Sequence, residues 1–209
     1  MKKFGTAVIL CGGKSSRMGF DKCKITIGKK HIYEYIAEKL EKVFEEIILV
    51  TSKDSSISSV KYKVVKDIVE ECGPIGGIYT GLLSSTSEYA FFTACDMPFV
   101  DIDLIKHMIN VLDGNGCVGS VAKHGEFIEP LHSFYSKALS DSIKCSINIG
   151  NFQMNKLVKC SNIHYIEESY WNDGKIPNIF SNLNCIKDID IIKDLYGDEV
   201  EFDEQQQKY

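Results

Sequence analysis

A short apolar run, Thr6–Leu10 (TAVIL), breaks directly into Cys11-Gly12-Gly13-Lys14, and this junction constrains the chain more than any other stretch. Buried parallel strands read as near-continuous apolar runs bounded by turn residues, so Thr6–Leu10 is expected to be a strand and the glycines the loop leaving its carboxyl end. From Ile9 to Lys24 the sequence ILCGGKSSRMGFDKCK also places Lys14, Arg17, Lys22 and Lys24 within one loop-sized segment. Gly12 and Gly13 let backbone approach an anion, while Arg17 offers a directional fork of donors and Lys22 a movable point charge. This makes the stretch a proposed phosphate cradle, with a basic-rimmed surface turn as the alternative. It matches neither G-x-G-x-x-G nor G-x-x-x-x-G-K-[ST], because Gly13 and Gly19 have the wrong spacing and Phe20 follows Gly19.

The pattern after the loop alternates helix and strand. Ile32, Tyr33, Ile36, Leu40, Val43 and Phe44 are spaced as one helical face within His31–Phe44, and Glu46–Thr51 reads as the next buried strand, completing a βαβ crossover. His31 falls near the helix start and reads as a capping-region residue. Tyr62–Val65 is a further strand, with Asp67 just beyond it as a hydrogen-bond acceptor for a nucleotide or as a turn residue. Gly73–Gly77 (GPIGG) is expected to be a tight turn ahead of a helix at Ile78–Ser84, with Gly76 and Gly77 bringing backbone close to a base or ribose. Tyr89–Ala94 (YAFFTA) reads as a central strand, which puts Asp96 of CDMPF at the strand carboxyl end, the ligand-binding edge of open α/β sheets. A carboxylate there can ligate magnesium beside nucleotide phosphates. Asp101 is expected to cap a helix at Ile102–Leu112.

Farther along, Cys117–Ala122 reads as a strand and Glu129–Tyr135 as a segment returning to the sheet. His132 has no Ser or Asp at a recognisable catalytic spacing, and Glu129 reads as a solvated loop residue, so both take structural roles. Helices are expected at Ser136–Ile143 and Phe152–Lys159, a strand at Ile163–Ile166 and a last helix at Lys187–Leu195. In Ile179–Asn184 (IFSNLN), strand alternation would turn Asn182 and Asn184 the same way, their amides able to orient phosphate or pterin groups. The fold expected is a single α/β domain over residues 1–197: a Rossmann-like open, mostly parallel sheet with helices on both faces and its cleft at the strand carboxyl ends. Residues 198–209, acidic and Gln-rich, read as a flexible tail.

Composition narrows function by exclusion. A net charge of -5 argues against nucleic acid as a partner, while leaving room for a local basic pocket. The absence of a secretion-like leader or a long apolar span points to a cytoplasmic protein with no membrane partner. The eight cysteines lack C-x-x-C pairing and read as small hydrophobes in a reducing compartment.

Four stretches in order, LCGGKSSRMGFDK at Leu10–Lys22, GPIGGIYTGL at Gly73–Leu82, CDMPF at Cys95–Phe99 and FSNLN at Phe180–Asn184, resemble the molybdenum cofactor guanylyltransferase family over most of the chain. The resemblance implies a Rossmann-like nucleotidyltransferase, with GTP and molybdenum-bound molybdopterin as substrates and Mg2+ as cofactor. It also implies molybdoenzymes or cofactor-biosynthesis proteins as partners. It maps Leu10, Cys11, Gly12 and Lys22 onto nucleotide contacts, with Gly13 and Arg17 in the same signature loop and Arg17 as a phosphate contact. Asp67 becomes a further nucleotide contact and Asp96 the nucleotide- and magnesium-binding carboxylate. Asn182 and Asn184 fall on the molybdopterin side. Arg17, Lys22 and Asp96 are the residues expected to carry the chemistry. Cys11 stands where the family commonly has alanine, Cys185 and Ile186 where it has threonine and proline, and Val50 where some members have a nucleotide-contacting asparagine. The chemistry alone also fits a cytidylyltransferase acting on molybdopterin or another phosphorylated metabolite, or a non-catalytic nucleotide-binding protein that delivers molybdopterin.

Overall fold

The computed structural model describes residues 1–12, 23, 25–27, 30–69, 71–171, 179–183 and 200–201. Strand β1 (Thr6–Cys11) is buried along its whole length, as its apolar sequence requires. Two short strands, β2 (Thr26–Ile27) and β3 (Lys30–His31), lead into helix α1 (Ile32–Leu40). There His31 is the N-cap, and its N–H donates to Glu34 Oε2 at 2.7 Å. Strands β4 (Glu46–Thr51) and β5 (Lys63–Lys66), helix α2 (Pro74–Ser84), strand β6 (Tyr89–Ala94) and helix α3 (Ile102–Asn115) follow. The second half comprises β7 (Gly119–His124), β8 (Phe127–Ser136), α4 (Ser140–Asn148), α5 (Met154–Lys159) and β9 (Ile163–Glu167), and β10 (Val200–Glu201) pairs antiparallel with β2. Among the described residues no helix is long and apolar enough to cross a membrane.

The main sheet runs β5-β4-β1-β6-β8-β7-β9. Neighbours are parallel except for β8, which is antiparallel to both β6 and β7. The α/β, mostly parallel, Rossmann-like expectation holds, with this antiparallel insertion as its qualification. Side chains alternate across β1. Ala7, Ile9 and Cys11 join the core beneath α1 and α3, whereas Val8 and Leu10 join the core beneath α2, α4 and α5. Helices therefore cover both faces, which is why β1 carries no polar alternation.

Two local expectations are corrected. The helix expected at Ile78 begins at Pro74, so Gly76 and Gly77 lie inside it rather than in a preceding turn. Proline at the first helical position has its φ already set and needs no N–H partner there, and Gly73 at φ 64° makes the sharp turn by itself. Ile179–Phe180 form a turn and 181–183 an irregular segment, so strand alternation does not orient Asn182. Asp101 does cap α3, its Oδ1 accepting from the N–H groups of Asp103 and Leu104 at 2.8 and 2.9 Å. The helix read at Lys187–Leu195, together with Gly13, Arg17, Lys22 and Asn184, lies outside the described residues. So does the read tail, apart from Val200–Glu201.

The antiparallel half depends on one glycine. A Cβ on Gly119 would stand 2.5 Å from the Phe134 carbonyl oxygen and 2.8 Å from Ile163 Cδ1. The oxygen belongs to the paired strand β8, so it cannot swing aside as a side-chain tip would. Gly119→Ala is expected to lower stability by about 1–2 kcal/mol, read as a lower urea midpoint; an unchanged midpoint would show that the β7–β8 ladder yields without penalty.

Candidate functional site

The carboxyl ends of β1, β4 and β5 meet the amino end of α2 around a cavity of about 780 Å³, a volume suited to a nucleotide-sized ligand. Leu10 and Gly12 form its β1 wall, Val50 to Asp54 its β4 wall, Asp67 and Val69 its β5 wall, and Gly73, Pro74 and Gly77 the helix side, with Glu71 at the approach. Close packing explains the small residues. A Cβ on Gly12 would stand 3.2 Å from the Ser52 backbone nitrogen, and one on Gly77 3.0 Å from Leu10 Cδ2. Helix α2 thus packs directly on the strand that ends in the glycine loop, and its amino end is turned toward the cavity with the partial positive charge of its dipole.

Asp67 is fixed by several contacts. Its Oδ1 accepts from Thr80 Oγ1 at 2.7 Å and from the Val69 N–H at 3.1 Å, while the Ile68 N–H donates to Thr80 Oγ1 at 3.1 Å. A Cβ on Gly76 would come within 3.2 Å of Asp67 Oδ2 and 3.0 Å of the Val69 carbonyl oxygen. Gly76 therefore acts by letting the helix approach this carboxylate, which is presented to the cavity in a set orientation.

Asp96 lies on the same sheet edge, outside the cavity wall. Its strand, β6, is separated from β5 by β4 and β1, a span of about 14 Å at ordinary strand spacing. Two motifs far apart in sequence meet here, because the Leu183 N–H donates to the Asp96 carbonyl at 2.9 Å. Leu183 is buried and Asn182 beside it is exposed, so the late segment is anchored by its leucine and presents its amide to solvent near Asp96. Phe180 secures the segment from behind, edge-on to His132 and Trp171 at ring separations of 5.7 and 4.8 Å.

The structure adds residues that the sequence reading passed over. Ser52, Lys53 and Asp54 line the cavity directly after β4; the signal was available, since every parallel strand end on this edge belongs to the binding face. Glu129, read as a solvated loop residue, is half-buried in β8. Where Ala122 faces Glu129 and Ser120 faces Phe134, the strand carries a bulge opposite the end of β6. Inside the bulge the Leu131 N–H donates to Glu129 Oε1 at 3.0 Å, Ser133 Oγ donates to the Glu129 carbonyl at 2.7 Å, and Tyr135 OH donates to the Pro130 carbonyl at 2.7 Å. Burial, assisted by the Asp96 charge and opposed by the Leu131 N–H, pushes the Glu129 carboxyl up to about 7. His132 occupies the left-handed region at φ 73° and is fully buried, with Nε2 accepting the Asp101 N–H at 3.3 Å. Burial pulls its imidazole down to about 4, so it stays neutral and structural, as its sequence context implied.

The cysteines are not simply dispersed. Cys11, Cys23 and Cys95 converge in the core beneath α1 and α3, all buried, with the Cys23 and Cys95 sulfurs 2.7 Å apart. Hydrogen bonds with Cys11 and Cys23, together with burial, push the Cys95 thiol well above its usual range.

Comparison with known proteins places this geometry in a family. Residues 7–163 match the model of the MobA-like NTP transferase domain. A probable molybdenum cofactor guanylyltransferase of Peptoclostridium acidaminophilum is 42% identical over 172 residues, covering 80% of this chain and 78% of that protein. The molybdenum cofactor guanylyltransferase of Syntrophotalea carbinolica is 34% identical over 189 residues, covering 90% of each. Among solved structures, the molybdopterin-guanine dinucleotide biosynthesis protein A of Archaeoglobus fulgidus superposes with a TM-score of 0.76 at 22% identity, covering 91% of this chain and 97% of that one. A 2-C-methyl-D-erythritol 4-phosphate cytidylyltransferase of Thermus thermophilus shares the fold alone, at TM-score 0.65 and 10% identity. With its domain match, its relatives and its fold in agreement, the chain belongs to the molybdenum cofactor guanylyltransferase family of MobA-like nucleotidyltransferases.

Proposed function

We propose that the protein transfers GMP from GTP to the terminal phosphate of molybdenum-bound molybdopterin, forming the guanine dinucleotide cofactor and releasing pyrophosphate. The observation that carries this reading is the shared sheet edge, with a nucleotide-sized cavity at Gly12, Asp67 and Gly77 and, farther along, Asp96 joined to the late asparagine segment. The relatives named as guanylyltransferases support the nucleotide and the acceptor.

The described cavity wall carries Asp54, Asp67 and Glu71 against Lys53, a balance that suits donors rather than phosphates. Guanine N1–H, its amino group and the ribose hydroxyls are such donors. The nucleoside end therefore occupies the cavity, and the triphosphate runs past Gly12 toward Asp96. Arg17 and Lys22, assigned from the sequence, supply positive charge along that path. Val50 presents an apolar surface to the ligand rather than an amide, so purine selection falls to the carboxylates and backbone.

The donor set around Asp96 fits Mg2+. Its carboxylate offers hard oxygen, the ligand type that Mg2+ takes alongside waters and phosphate oxygens. Asp96 would hold the ion with phosphate oxygens, and a bound Mg2+ offsets the charge that develops at the α-phosphate. The chain's own residues position the reactants. Asn182, held beside Asp96 by Leu183, orients the acceptor phosphate, while Arg17 and Lys22 stabilise the transferring phosphoryl group and the leaving pyrophosphate. An acceptor phosphate is already ionised at neutral pH, so no protein base is required.

The test is pyrophosphate release and dinucleotide formation with purified protein, magnesium, molybdenum-loaded molybdopterin and GTP, CTP or ATP in parallel under anaerobic conditions. GTP is expected to exceed CTP and ATP by about tenfold or more in kcat/KM, a margin set by hydrogen-bond complementarity. Preference for CTP would convert the assignment to a cytidylyltransferase, and binding of both substrates without pyrophosphate would make the protein a delivery factor.

A further inference from the structure

We propose that Cys23 and Cys95 form a reversible disulfide that fastens the chain just after Lys22 to the strand end that carries Asp96. Three buried thiols come from separate parts of the chain: Cys11 ends β1, Cys95 directly follows β6, and Cys23 lies between the glycine-rich stretch and β2. Strands β1 and β6 are adjacent in the sheet, which brings Cys11 and Cys95 together, and Cys23 packs against them. A disulfide has an S–S separation of about 2.03–2.05 Å, so the Cys23 and Cys95 sulfurs at 2.7 Å need to close by less than about 1 Å. The position gives the link its consequence. Cys23 immediately follows Lys22 and Cys95 immediately precedes Asp96, so one bond ties together the two segments assigned to phosphate and magnesium.

The oxidant is hydrogen peroxide, a small neutral two-electron oxidant. One sulfur attacks a peroxide oxygen, the O–O bond breaks, an S–O bond forms, and the released hydroxide takes the thiol proton to become water. The second sulfur then attacks the sulfenic sulfur, the S–S bond forms, the S–O bond breaks, and a second water leaves. Together the two sulfurs lose two electrons and the peroxide oxygens gain two. A dithiol returns both electrons by thiol–disulfide exchange.

The experiment treats reduced full-length protein, dilute enough to prevent cross-linking between molecules, with a small molar excess of peroxide. Remaining thiols are then alkylated and the peptides mapped. The expected result is an intact molecule lacking two hydrogens, a linked peptide pair containing Cys23 and Cys95, and a Tm raised by about 5 °C because the closed loop constrains the unfolded chain. Dithiothreitol reverses all three. Cys23→Ser abolishes the link and the Tm rise, whereas Cys145→Ser combined with Cys160→Ser, which removes two exposed thiols, preserves both. Full alkylation of Cys23 and Cys95 after peroxide, or links scattered among other cysteines, overturns the proposal. These readouts use no substrate, so failure of the proposed transfer reaction is distinguishable from failure of the clasp.

Discussion

Asp96→Asn is expected to lower kcat/KM for nucleotidyl transfer by about 100-fold or more, because it removes the formal charge that the proposed mechanism sets against phosphate and magnesium charges. Asparagine keeps the size and one carbonyl oxygen of the side chain. The contact that joins Asp96 to Leu183 uses the Asp96 backbone carbonyl, so the late segment stays docked in the variant. The loss therefore reads as chemistry rather than unfolding, with Tm close to the parent value. The magnesium concentration giving half-maximal rate should also rise, since one hard anionic ligand has been replaced by a neutral oxygen. Unchanged kcat/KM together with an unchanged magnesium dependence would remove Asp96 from the proposed metal role. A large loss of Tm would instead move it to a structural role at the end of β6.

Much of the fold was visible in the linear pattern because the parallel half is encoded locally. Thr6–Cys11, Glu46–Thr51 and Tyr89–Ala94 are buried on both faces, Glu46 apart, and so read as largely apolar runs, and the parallel order of β1, β5 and β6 puts Gly12, Asp67 and Asp96 on one sheet edge. The antiparallel half was less legible. Glu129 and His132 lie in a bulge defined by the pairing of β8 with β6 and β7, and neither the left-handed His132 nor the half-buried Glu129 has a signature in residue type alone. The docking of Leu183 on Asp96 was likewise hidden, being a single backbone contact across distant sequence. Cys11, Cys23 and Cys95 read as isolated small hydrophobes until the sheet order brought them together. GPIGG reads as a close-approach motif, yet Gly76 and Gly77 serve inside the helix, where Gly76 meets Asp67 and Gly77 meets Leu10.

Those two residues of the bulge should also impose opposing pH dependences on stability. His132, lowered from 6.5 to about 4 by burial, is neutral in the folded state over a range where the unfolded chain binds a proton. Its contribution is present above pH 6.5 and is lost as pH falls toward 4, worth about 3 kcal/mol for a fully buried ring. Glu129, raised from 4.5 to about 7 chiefly by burial, has the opposite sign. The folded state retains its proton where the unfolded chain has released it, so stability is present below pH 4.5 and is lost as pH rises through 7. Partial exposure reduces that contribution to about 1–2 kcal/mol. Between pH 4.5 and 6.5 the two slopes oppose one another. In Glu129→Gln, the amide oxygen can still accept the Leu131 N–H, but the titration is gone. The variant is expected to match the parent near pH 4.5, become more stable by about 1–2 kcal/mol at pH 7.5 and above, and show a steeper decline toward acid because His132 is no longer offset. Urea denaturation across this range measures the difference, in which all other titrating groups appear on both sides. The His132 ring resonances, followed by NMR, should hold their neutral positions until the pH falls below about 5. Parallel stability curves for the two proteins would show that Glu129 keeps an ordinary carboxylate in the fold, and protonation of His132 near pH 6.5 would show that water reaches the ring.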